Sequence, residues 1–170
     1  MGNVRAASSV LFVLGFVPLV GCTTLAKQAY NEARGAQAKV LPIQETGPAT
    51  MGRIRGYEFA PATTTVGAEI CPPQLLSAYD RATSRLASRL GSDTGPSLKV
   101  DSEVLYFQGK GLLSGAFMLT RVRMRDGERL ISDVLVRAES GSYTRGGEDA
   151  LAIATVDALG RFLRVEDRPE

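Results

Sequence analysis

The chain reads as an α+β domain. The expected fold is a two-layer sandwich: an antiparallel meander of three strands plus one N-terminal strand, with two helices on one face. Three observations predict it. Between residues 98 and 138, three consecutive segments alternate weakly charged positions with more polar ones, the period-two signature of strands. Two other stretches, 74–90 and 147–163, repeat apolar residues at helical spacing. Both helical stripes need an apolar surface to cover, and the weakly charged face of the meander offers one.

The first segment is not part of that domain. Met1 to Arg5 is short and basic, and Ala6 to Val20 is apolar. This run is shorter than the roughly 20 residues that span a bilayer, and Pro18 interrupts it. It closes on Leu19-Val20-Gly21-Cys22, a branched apolar residue three before a cysteine and a small residue just before it. The motif resembles the lipobox of bacterial lipoprotein signals. That resemblance implies a diacylglyceryl thioether on Cys22, cleavage after residue 21 and acylation of the new amine. Two or three acyl chains hold a protein on a bilayer where one holds it only marginally. Thr23 follows the cysteine, where aspartate would favour the inner membrane. By the same resemblance the protein is expected on the outer membrane, facing the periplasm.

Residues 22–50 read as a lipidated tether. Ala, Gln, Lys and Glu through Lys39 support a weak helix, and Pro42, Gly47 and Pro48 then break the chain. The globular domain is expected over 51–164. Arg53 to Ala60 reads as its first strand, ended by Pro61. After a threonine-rich loop, Gln74 to Leu90 reads as a helix: Leu75, Tyr79, Ala82, Leu86 and Leu90 share one face, the prolines at 72 and 73 suit its start, and Gly91 its end. Arg81, Arg85 and Arg89 form a separate stripe that reads either as a solvated face or as a contact for phosphates or anionic headgroups.

In the three strands that follow, the even-numbered residues from Leu98 to Ala138 are the less charged set. A three-residue turn, Arg125-Asp126-Gly127, pairs Met124 with Glu128 and Val122 with Leu130. It keeps every even residue on one side and needs Gly127 in the left-handed region. With Leu105 opposite Leu119, Arg123 falls opposite Asp101 and Arg121 opposite Glu103. Gly147 to Leu163 reads as the last helix, with Glu148 and Asp149 in its first turn and Arg161 near its end, as the helix dipole favours. Residues 165–170 form a charged tail. This order resembles the small α/β modules of Gram-negative envelope lipoproteins.

Composition narrows the chemistry. Of 170 residues, removal of the first 21 leaves 149, enough for one cored domain. Lys and Arg number 20 and Asp and Glu 18; the signal holds only Arg5, so the mature charge is 19 minus 18, or +1. That balance gives no reason to expect nucleic acid. The chain has no histidine, which excludes histidine-based triads and imidazole metal ligands. With Cys22 lipidated, Cys71 has no partner in the chain and is expected to be buried.

Other candidates read as structural. Gln108 to Gly115 is glycine-rich but lacks the spacing of a phosphate loop. Asp101 and Glu103 share a strand face as catalytic carboxylates could, yet cross-strand arginines explain both. Ser114, Ser140 and Ser142 have no evident base. No cofactor, metal or enzymatic activity is expected. The odd-numbered face of the meander is more informative. Towards the glycine-rich loop it gathers Leu105, Phe107, Phe117, Leu119 and Leu135. Such a half-face is either buried by the tether or first strand, or it docks a partner. The expected function is a non-enzymatic, lipid-anchored envelope accessory with a protein partner. The alternative is a periplasmic carrier of a small ligand or lipid, using the cleft between sheet and helices.

Overall fold

The computed structural model describes residues 35–44, 56–90, 96–111, 114–141 and 147–163. Among the described residues six strands form one mixed sheet, which does not close into a barrel, and two helices pack against it. The strands are β1 (Gln37–Gln44), β2 (Gly56–Phe59), β3 (Thr63–Thr64), β4 (Ser97–Gln108), β5 (Phe117–Asp126) and β6 (Arg129–Glu139). The helices are α1 (Pro73–Leu90) and α2 (Gly147–Leu163). The sheet order is β1-β6-β5-β4-β2, with β3 also beside β4.

β1 corrects the tether as read from sequence. Residues 37–44 do not form a weak helix or a linker; they pair antiparallel with β6 along the sheet edge. Helix propensity there is slight, and the ladder with β6 outweighs it. Ala38 and Val40 alternate towards the core, and Pro42 is tolerated because β1 is an edge. At the opposite edge β2 runs parallel to β4, because α1 lies between them in sequence and returns the chain to the same end of the sheet.

β4, β5 and β6 are consecutive antiparallel neighbours, and two bulges set their faces. In β4 the pairing steps from Val104↔Thr120 to Tyr106↔Leu119, so Leu105 is extra. In β6 the pairing steps from Met124↔Ser132 to Arg125↔Leu130, so Ile131 is extra. The β5–β6 turn therefore differs from the expected one. Asp126 pairs with Arg129 around a two-residue Gly127-Glu128 loop, and Val122 meets Val134 rather than Leu130. Gly127 does take the left-handed conformation, at φ 57°. The bulge at Ile131 restores even-to-even pairing, which is what the three-residue turn was meant to do.

Most even residues of the central strands are buried, among them Leu98, Val100, Val104, Met118, Val122, Met124, Val134, Val136 and Ala138. Leu75, Tyr79 and Leu151 join Val104 and Met118 in one cluster, and Leu159 and Leu163 join Val100 and Val122 in a second. The two helices touch closely where a side chain on Gly160 would press on Leu86 Cδ1 at 2.9 Å.

Candidate functional site

Among the described residues both helices lie on the even side of the sheet, leaving the odd side as the candidate contact face. Four of the five residues expected there are on it and half-buried: Leu105, Phe117, Leu119 and Leu135. Phe107 is not. The bulge at Leu105 reverses the alternation, so Phe107 turns into the core at 9 % exposure while Tyr106 turns outward at 44 %. Tyr106 and Phe117 then sit with ring centroids 6.0 Å apart, and the Arg137 guanidinium lies 5.4 Å over the Phe117 ring. Leu41, opposite Leu135 in register and 37 % exposed, extends the face onto β1. Leu41 was missed because its strand was read as tether. Tyr106 was missed because nothing in the sequence of β4 marks the bulge.

The other half of this face is an ion-pair ladder. Asp101 lies opposite Arg123 and Glu103 opposite Arg121, as the alternation predicts. The contacts themselves run diagonally. Arg123 reaches Glu103 at 3.1 Å, and Asp101 sits 3.6 Å from Lys99 and 3.8 Å from Arg125. Arg121 turns to the next strand and grips Asp133, with Nε at 3.0 Å from Oδ1 and Nη2 at 2.6 Å from Oδ2. Asp133 is 3 % exposed. The hydrogen bond to Asp133 and its charge push the Arg121 guanidinium above its ordinary value. Asp101 and Glu103 are thus paired with cations rather than held as a free acid and base.

A second feature lies where both helices begin. Phe107 and Ala116 floor a groove of about 780 Å³ whose walls include Gln74, Ser77 and Lys110. The Arg81–Asp149 ion pair, 2.9 Å long, crosses its rim. Gly109 and Lys110 of the glycine-rich loop belong to this wall. Of the basic stripe, Arg81 and Arg89 pair with Asp149 and Asp157 on α2, and Arg85 makes no ion pair among the described residues. Cys71, 2 % exposed, is buried before α1, and that burial pushes its thiol pKa up.

Cys22, the residues before it, the tether up to residue 34 and the charged tail lie outside the described residues. Among the described residues, no group of three or more Asp, Glu or Cys side chains is placed to hold a metal ion. No described helix is long and apolar enough to cross a membrane.

No family model matches the chain, and no curated protein matches it. Among solved structures it is similar to a singly substituted PelC dodecamer from Paraburkholderia phytofirmans. The identity is 8 %, the TM-score 0.47, and the match covers 79 % of this chain and 99 % of that one. A second PelC dodecamer from the same organism matches at 10 % identity and a TM-score of 0.45, with the same coverage.

Proposed function

We propose that the protein is a lipid-anchored envelope accessory, without enzymatic activity, that presents a sheet face to a protein partner. The observation that carries this reading is the Leu19-Val20-Gly21-Cys22 motif after a short apolar run. In this reading Cys22 is the first mature residue and its acyl chains sit in the outer membrane on the periplasmic side. The domain is a two-layer sandwich whose β4–β6 meander backs onto both helices. Its partner face is Leu105, Tyr106, Phe117, Leu119, Leu135 and Leu41. Confinement to a surface raises the effective concentration of the domain for a partner in the same envelope.

Replacing Cys22 by alanine and fractionating the cells tests the reading. The expected product keeps residues 1–21 and carries no lipid mass. A product that is cut at residue 21 and pellets with envelopes as before would overturn it.

The second reading is a carrier. The groove over Phe107 has a volume within the roughly 300–1,000 Å³ of small-ligand sites, and its apolar floor and polar walls suit an amphipathic molecule. Native mass spectrometry of the protein purified from envelopes separates the two. A stoichiometric small molecule, bound in addition to the acyl chains, favours the carrier; a co-purifying protein favours the accessory.

A further inference from the structure

We infer that β1 is a releasable strand: it opens from the sheet as a unit while β4, β5, β6 and both helices stay folded. Burial is the first reason. From Ala36 to Ile43 no residue is fully buried, and Leu41 and Ile43 are 37 % and 54 % exposed. The neighbouring strand β6 buries Val134, Val136 and Ala138 completely. Regions that bury little apolar surface are the ones that open below the global unfolding energy.

Packing is the second reason. β1 meets the core under α2 through Ala36, Ala38 and Val40, all only half-buried, and an open groove of about 430 Å³ lies beside them, lined by Ala36, Gln37 and Ala38 and by Ala154, Asp157 and Arg161 of α2. Half-buried side chains beside an open groove gain less dispersion energy than fully packed ones. The ladder is the third reason. Pairing with β6 is irregular between Pro42 and Gln44, and Pro42 has no N–H to donate. β1 is also an edge strand, and among the described strands it is hydrogen-bonded to β6 alone.

The consequence concerns reach. From Cys22 to Gly35 a fully extended chain spans at most ~45 Å; with β1 released the span runs from Cys22 to Gly56, at most ~115 Å. The same domain then works at two distances from the anchor. Release also bares the edge of β6, where an extended segment of a partner can add as a strand. The reach depends on the Cys22 anchor proposed above; the opening of β1 does not.

Hydrogen exchange of the full chain, read by mass spectrometry, tests the opening. Those amides of β1 that are hydrogen-bonded to β6 are expected to exchange at least ~100-fold faster than the amides of β5. Two variants probe the cause. Leu41→Cys with Leu135→Cys, opposite each other in register, staples β1 to β6 when oxidised. Ala154→Leu fills the groove under α2 without a new covalent bond. Both are expected to slow exchange in β1 and to leave β5 unchanged. If β1 exchanges as slowly as β5, or if β1 and β5 exchange together and neither variant slows β1, the strand is not releasable. The result reads the same with or without lipid on Cys22, so it stands apart from the fractionation experiment.

Discussion

Tyr79 and Thr120 show how single residues tune this core. Tyr79 is buried under α1 and donates its hydroxyl to Ser102 Oγ at 3.1 Å. Burial pushes its pKa from the ordinary 10 up to about 12. The fold therefore holds the neutral phenol more tightly than the unfolded chain does. This contribution to stability is complete below pH ~10 and disappears as pH climbs to about 12. The unfolding free energy is expected to fall by about 2–3 kcal/mol through that window. Tyr79→Phe should remove most of the fall and leave the smaller share of Tyr57, whose pKa burial also raises. At neutral pH the same change should cost about 1 kcal/mol, because Ser102 loses its donor. Urea unfolding at pH 8 and pH 11.5 reads both effects. Thr120 is fully buried, and its hydroxyl has no partner among the described residues. Thr120→Val keeps the shape and removes that orphan group, so it should raise stability by about 1 kcal/mol in the same urea assay. Tyr79 was legible as part of a helical stripe, and Ser102 and Thr120 as even-face residues. Their bonding was not, because it depends on which side chains α1 lays over the sheet.

At the scale of elements, α1, α2 and the three long strands follow the sequence pattern closely, because each has a sustained period that only one secondary structure satisfies. The departures are the edge strand and the bulges. β1 has a mixed composition around a proline, so its local preference is weak and its pairing with β6 decides its state. The bulge at Leu105 falls within an alternation that no glycine or proline interrupts. It matters for the candidate face, because it exchanges Phe107 for Tyr106. Deleting Leu105 should make Val104↔Thr120 and Tyr106↔Leu119 consecutive pairs, restoring simple alternation with Tyr106 still outward and Phe107 still in the core. The expected cost is only about 1 kcal/mol by chemical unfolding, the lost burial of one half-buried leucine. The exposed pairs Arg81–Asp149 and Arg89–Asp157 join α1 to α2 but contribute little, since water screens both.

At the scale of the whole molecule, the question is what the odd face touches. Phe117 and Leu119 are the test residues, because they are half-buried on that face and distant from the helices. Phe107 is unsuitable, since it is buried in the core and its loss would cost about 3–5 kcal/mol of stability. On the proposed reading of that face as a partner site, replacing Phe117 and Leu119 together by serine should abolish recovery of the partner while lowering the melting temperature by only a few degrees. A folded double variant that still recovers the partner would move the interface elsewhere. A variant that fails to fold would show that the patch is core.

The amino-acid sequence alone determined the periodic elements, the buried even face, the separation of charged and apolar halves on the odd face, and the short apolar run that ends at Cys22. Each follows from local spacing, which neighbours along the chain impose on one another. Tertiary structure decided the rest: that residues 37–44 join the sheet, that β2 runs along the far edge beside β4, that Phe107 faces inward, and that Arg121 holds Asp133 across strands. These features depend on register between segments distant in sequence. A one-residue slip in register changes the face of every side chain beyond it, while the local pattern stays the same.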